Sequence, residues 1–293
     1  MRGFRPLALA FLASFAAAGC SPVSAALHDP QTLPALPQDP RIHYQPGAAP
    51  YATAVAALLP QAAATIEAVQ GRPFGKPFTV TVFADDDAYA AANGLGTPKA
   101  RGVTFFDRVT LSPALWREDS AYLEADLTHE LSHEHLHSNL SAADYFAIPV
   151  WFVEGLAVMA SGGGGAQRVS TREAERAIAQ GRFIDTPDEA NVFANFSLAP
   201  PRGSEKDENV ARMHLAYRQA SLFVVFLREE KPEAFKALMN RLFEGERFRQ
   251  AFDASYAESL AAARARFIAK TIAGTGAPGS SPKGGLPAPA TPI

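Results

Sequence analysis

The chain has 293 residues, 47% hydrophobic and 19% charged, enough to bury one large core or two small ones and too ordinary in composition for a collagen, a coiled coil or a disordered acidic protein. One cysteine excludes an intramolecular disulfide and a cysteine-rich zinc module, so any metal must be held by histidine and carboxylate. A formal net charge of −3 supplies no basic field of the kind nucleic acid requires, and no nucleic-acid partner is expected.

Residues 1–19 have the layout of an export signal: Arg2 and Arg5, the apolar run Leu7 to Ala13, then small residues up to Cys20. That run is shorter than the roughly 20 residues a spanning helix takes. Loss of Arg2 and Arg5 leaves 25 basic against 30 acidic residues, a net charge of −5. Ala17-Ala18-Gly19-Cys20 resembles a bacterial lipoprotein signal, in which the cysteine is acylated and becomes residue one; Ala17 stands where that pattern usually has leucine. The resemblance implies a lipid anchor at Cys20 as the one membrane contact, and a cell-envelope location on the periplasmic side. Ordinary cleavage after Ala25 is the competing reading, and it releases a secreted protein.

Residues 20–50, with seven prolines between 21 and 50, read as an extended tether. Ala52 to Gln70 carries Val55, Leu58, Leu59, Ala62, Ile66 and Val69 at helical spacing and is closed by Gly71. Phe78 to Phe83 reads as a strand, and Asp85 as the cap of a short helix over 86–92. Segments 102–106 and 109–111 flank Asp107-Arg108 as a tight hairpin. Asp119-Ser120 is expected to cap a helix reaching about Ser138, and Pro149 to open another ending in Ser161 and four glycines. Segments 171–180, 208–229, 232–244 and 256–271 read as helices, and 272–293, rich in Gly and Pro, as a disordered tail. The expected class is α+β: a lobe over 51–165 with a small mixed sheet packed on the second long helix, then a helical lobe over 166–271.

His129-Glu130-Leu131-Ser132-His133 is an HExxH pattern inside a predicted helix. At about 100° per residue the two imidazoles lie about 40° apart, one turn removed, and can reach one metal ion. Glu130 can reach a metal-bound water without ligating the metal. A catalytic zinc takes a third protein ligand and keeps one open position. A histidine six residues beyond His133 is ruled out by Asn139, and the turning glycine three residues beyond it by Leu136. His137 lies about 12 Å along the axis from His129, and His135 points to another face. Glu154, the one acidic residue in the apolar stretch Trp151-Phe152-Val153-Glu154-Gly155-Leu156-Ala157, is costly to bury without a cation. Gly155 is expected to let its helix approach the HExxH helix.

HExxH followed by Trp-x-x-Glu-Gly-Leu-Ala resembles the gluzincin metallopeptidases, in particular the bacterial peptidase-MA-like families, over about residues 51–265. The resemblance implies a zincin-like fold, one Zn2+ held by His129, His133 and Glu154, and Glu130 as general base for a zinc-bound water attacking a peptide or protein substrate. It implies that 102–111 borders the cleft and pairs with extended peptide. Tyr217 matches a tyrosine early in a long helix that donates to the oxyanion. Its place in the stripe Met213, Tyr217, Ala220, Val224, Leu227 is equally that of a core residue, and His214 is the other candidate donor. Several related enzymes carry an aspartate four residues after the ligand glutamate; this chain has Val158. Asp126, one turn before His129, either replaces it or is a solvated surface residue.

Glu134, His135 and His137 read as exposed polar residues on the outer helix face. Gly162 to Gly165 reads as a helix stop or flexible flap, since no Lys-Ser/Thr follows. Phe248, Phe252, Ser259 and Leu260 read as packing. A non-catalytic envelope lipoprotein of the same fold, or a zinc hydrolase of a non-peptide bond, are the alternative functions.

Overall fold

The computed structural model describes residues 32–105, 107–184 and 206–275. The export signal, Cys20 and residues 276–293 lie outside the described residues. The class is α+β. Strands β1 (Ala35–Leu36), β2 (Asp39–Tyr44), β3 (Thr79–Val82), β4 (Gly102–Phe105) and β5 (Arg108–Leu111) form one mixed sheet in the order β1-β2-β3-β5-β4. β2, β3 and β5 run parallel; β4 turns back antiparallel to β5 and forms one edge.

Helices α1 (Ala49–Gln70), α2 (Asp86–Ala92) and α3 (Pro113–Arg117) alternate with the strands. Then come α4 (Leu123–Asn139), α5 (Ala142–Tyr145), α6 (Val150–Ala160), α7 (Thr171–Ala179), α8 (Lys206–Glu230), α9 (Pro232–Phe243), α10 (Phe248–Tyr256) and α11 (Leu260–Thr275). Gly71 closes α1 at φ 81°, and the Asp85 side chain accepts the Ala88 N–H to start α2.

Four expectations change. Residues 35–44 are not tether but the first two strands, with Ile42 fully buried opposite Val80. The prolines do not prevent this, because Pro40 sits at the start of β2, before its parallel pairing with β3 begins, where a missing N–H breaks no ladder. Asp119 caps nothing; it ion-pairs with Arg101, and a 3-10 turn over Ser120–Tyr122 leads into α4. The expected helix over 256–271 is the end of α10 followed by α11, with Ala257 between them at φ 54°. Residues 272–275 belong to α11 rather than to the tail.

Two apolar cores meet on α4. Leu123, Leu127 and Leu131, four residues apart, join Ile42, Val55, Leu59, Val80 and Leu111 under the sheet. Leu136 and Leu140 join Trp151, Phe152, Phe223, Leu238, Phe252 and Phe267 in the helical core. Helix α6 therefore packs with the helical half, so the division of packing falls within α4 rather than at residue 165.

Gly155 faces α8, not α4. A Cβ there would meet the Ala220 carbonyl oxygen at 2.7 Å and Val224 Cγ2 at 2.9 Å. Gly155→Ala forces α6 and α8 apart, at a cost of roughly 1–3 kcal/mol against about 1 kcal/mol gained by removing a helical glycine. Thermal unfolding should fall by a few degrees; an unchanged midpoint would contradict the close helix contact.

Candidate metal centre

Alternation along the sheet decides which side chains of β4 look at α4. Val80, Val82, Val109 and Leu111 point into the core between sheet and helices. Thr104 pairs with Val109 and Gly102 with Leu111, so both share that face. Thr104 accordingly reaches α4: its hydroxyl donates to Glu130 Oε2 at 2.7 Å and approaches the Glu130 carbonyl at 2.9 Å. Gly102 lies flat against the same glutamate, where a Cβ would sit 2.6 Å from Glu130 Cγ. The edge strand thus clamps Glu130 from one side. Burial raises its carboxyl to about 7, against the lowering effects of the His129 charge and the Thr104 hydroxyl.

One turn of α4 apart, the rings of His129 and His133 point away from the sheet with their Nε2 atoms 3.1 Å from each other. Glu154, presented by α6, brings Oε2 to 3.3 Å from His129 Nε2 and 3.6 Å from His133 Nε2. Zinc binds these donors at about 2.0–2.2 Å, so the edges of a tetrahedral site measure about 3.3–3.5 Å. The three atoms fit three corners of such a site and leave the fourth open. Glu154 Oε2 is shut off from solvent and has no well-formed hydrogen bond among the described residues, only the long approaches of the two imidazoles, the condition a bound cation relieves. The group can hold a metal ion.

The protonation pattern is what a cluster of donors without a cation requires. Burial lowers the basicity of both histidines. At His129 the hydrogen bond and charge of Glu154, with the charges of Glu130 and Asp126, overcome it and raise the imidazole to about 9. At His133 burial prevails and the ring falls to about 4. Glu154 is held below the ordinary carboxylate value: burial opposes this, but the attraction of the two histidines and the nearby Tyr217 hydroxyl prevail.

Tyr217 lies at this centre. Its ring is 6.4 Å from the His129 ring at 12° between planes, and its hydroxyl is close enough to Glu154 that the carboxylate, after burial, raises the phenol further. Ala220, Val224 and Leu227 of the same stripe do pack into or against the helical core, so one helix face serves core and site in turn. His214, also buried, is set among the charges of Arg168 and Arg218, and its Nδ1 has no partner among the described residues.

Several neighbours differ from expectation. Asp126 is not solvated: it is 6% exposed and accepts from the Gly165 N–H and the Gln167 amide. It bonds the glycine loop rather than His129 Nδ1, which stays unpartnered among the described residues, as does His133 Nδ1. The run Gly162 to Gly165 is no flap. Gly162, Gly163 and Gly165 have φ of 69°, 125° and 77°, and a Cβ at Gly165 would meet the His129 ring at 2.7 Å, so the loop walls the imidazole. Glu134 and His135 are buried rather than exposed; His135 bonds Gln70 Oε1 at 2.7 Å and the Arg72 carbonyl at 2.8 Å, tying α4 to α1. His137 stacks on Tyr145 at 3.7 Å. Phe248, Phe252 and Leu260 are core residues.

Sequence reasoning missed Gly102 and Thr104 because their role depends on strand pairing; the available signal was a glycine two residues before a threonine on the strand preceding HExxH. Comparison with protein-family models, with curated proteins and with solved structures finds no match to this chain.

Proposed function

We propose that this protein is a zinc metallopeptidase of the gluzincin type, exported and lipid-anchored through Cys20 in the cell envelope. The observation that carries the reading is the convergence of His129 Nε2, His133 Nε2 and Glu154 Oε2 at 3.1–3.6 Å beside a buried carboxylate that does not ligate. The zincin-like fold is supported by the antiparallel edge strand β4 lying over the HExxH helix α4, with the glutamate helix α6 packed on the other side. Bound to the three donors, zinc would polarise the scissile carbonyl and acidify water.

The chain's own residues do the rest. Glu130, held at its Oε2 by Thr104, takes the proton of the attacking water and returns it to the leaving amine. Its elevated basicity suits both transfers. β4, at the sheet edge among the described residues, is placed to hold an extended peptide as an added strand. Tyr217, beside His129 and Glu154, would donate its hydroxyl to the developing oxyanion. Gly165 and the Asp126-bonded loop fix the His129 ring.

The test is metal content and cleavage together. The chain purified without added metal should carry near one zinc per molecule by plasma mass spectrometry, and should cut a peptide library in a manner abolished by chelator and restored by zinc. Full zinc occupancy without any cleavage would favour the binding-module alternative; zinc-dependent hydrolysis confined to non-peptide bonds would favour the other hydrolase.

A further inference from the structure

Next to the segment that follows the glycine loop lies a cleft of about 840 Å³ between α7 and the N-terminal half of α8. Arg168, Arg176, Arg182 and Arg212 line it, with Phe183 and Leu215 as apolar floor. Glu173 is its one acidic lining residue, and its carboxylate is already engaged by the Ser170 hydroxyl and backbone N–H in the capping box of α7. Among the described residues no carboxylate forms an ion pair with Arg168, Arg176 or Arg212. With four arginines against one ionised glutamate, whose charge Arg176 already offsets in part, the described lining carries an excess of positive charge in a concave surface, where field lines concentrate, in a chain with net charge −3.

The cleft is joined to the metal centre by a short, fixed piece of chain. Gly165 touches the His129 ring, and Arg168 is three residues on, at most about 11 Å away. Arg218 fastens the intervening loop, its Nε donating to the Val169 carbonyl at 2.9 Å and its Nη2 to the Ala166 carbonyl at 3.2 Å. Of the cleft's own guanidiniums, that of Arg182 donates to Gln180 Oε1 at 2.6 Å, while those of Arg168, Arg176 and Arg212 form no ion pair among the described residues. An extended peptide rises about 3.3 Å per residue, so three or four residues beyond a bond at the metal centre cover a span of the same size.

We propose that this cleft is a recognition subsite for carboxylate-bearing peptide, so that the enzyme selects substrates with Asp or Glu a few residues from the scissile bond. The choice of peptide among anions rests on the peptidase reading above. Guanidinium forks match carboxylates bidentately, and Phe183 and Leu215 can take the aliphatic part of a glutamate side chain.

Binding can be read without turnover. Fluorescence anisotropy of a labelled oligoglutamate peptide, with the full chain in chelator, should show saturable binding that weakens with added salt; oligoglutamine should not bind. The triple variant Arg168→Gln, Arg176→Gln, Arg212→Gln should bind about tenfold more weakly, the product of three modest exposed charge contacts. Its thermal unfolding should match the parent, since these side chains support no packing. Oligoglutamate binding that survives the triple substitution overturns the proposal. Inorganic phosphate or anionic phospholipid vesicles bound in place of oligoglutamate overturn it also. If oligoglutamate binds through these arginines and no peptide is ever cut, the subsite stands and the peptidase reading fails; zinc-dependent cleavage without oligoglutamate binding overturns the subsite and leaves the peptidase standing.

Discussion

Glu130→Gln is expected to bind zinc at one ion per chain and to cleave peptide at least about a hundredfold more slowly, the usual loss when a positioned general base is removed. The amide is isosteric, and the Thr104 hydroxyl can still donate to its oxygen, so the clamp between β4 and α4 survives. What disappears is a group able to take a proton. Burial holds Glu130 at about 7, so the proposed peptide cleavage by the parent protein should fall as pH drops below neutrality and the carboxylate is protonated; the positive charge of a bound metal would move that limb to lower pH. Metal analysis beside initial rates checks both halves. Undiminished turnover would remove Glu130 from the chemistry.

Glu154→Ala has its largest effect on the metal. The carboxylate supplies one of three donor atoms and the one negative charge among them, and its loss should weaken zinc binding by at least about a hundredfold, beyond the 10–100-fold of outer-shell changes. The pH dependence carries a sign that can be worked out. His129, raised to about 9 by Glu154 after burial is overcome, must lose its proton when its Nε2 takes a cation. Zinc affinity in the parent therefore climbs with pH, about tenfold per unit where one proton is displaced, and levels off above about 9. Metal-free protein behaves oppositely. A histidine whose folded value is raised contributes stability that is fully present below its unfolded value of about 6.5 and lost as pH rises through about 9. Without Glu154 the larger part of the rise is gone, leaving the charges of Glu130 and Asp126, so both dependences should flatten. Calorimetric titration with zinc in buffers of different ionisation enthalpy reads the proton count directly; full occupancy with unchanged proton release in Glu154→Ala would exclude Glu154 as a ligand.

The absence of an aspartate after Glu154 has a structural counterpart. Val158 is 1% exposed and its side chain has no acceptor to offer, and neither histidine Nδ1 finds an acceptor among the described residues. The rings are fixed by contact instead: the backbone of Gly165 lies against His129, and the loop that carries it is tied to Asp126. Asp126 thus takes part in the site through the loop, not by the direct hydrogen bond its spacing on α4 suggested.

What could be read from the chain alone was local. The helical repeat places His129, Glu130 and His133 one turn apart, a geometry that holds wherever the helix lies. Asp85, Gly71 and the spacing of Val55, Leu59 and Ile66 set helix ends and faces by interactions within a few residues. Glu154 was visible because an unpaired charge in an apolar run has few physical explanations. Non-local pairing settled the remainder. Ile42 became a buried strand residue because β3 lies beside it, and no property of a proline-spaced segment announces that partner. Thr104 reached Glu130 because its register against Val109 turned it toward α4. Gly155 met α8 instead of α4, and Glu134 and His135 were buried because α4 is enclosed by sheet, α1 and α6 together. Strand register, loop closure and burial depend on which distant surfaces come into contact, so only the tertiary structure could decide them.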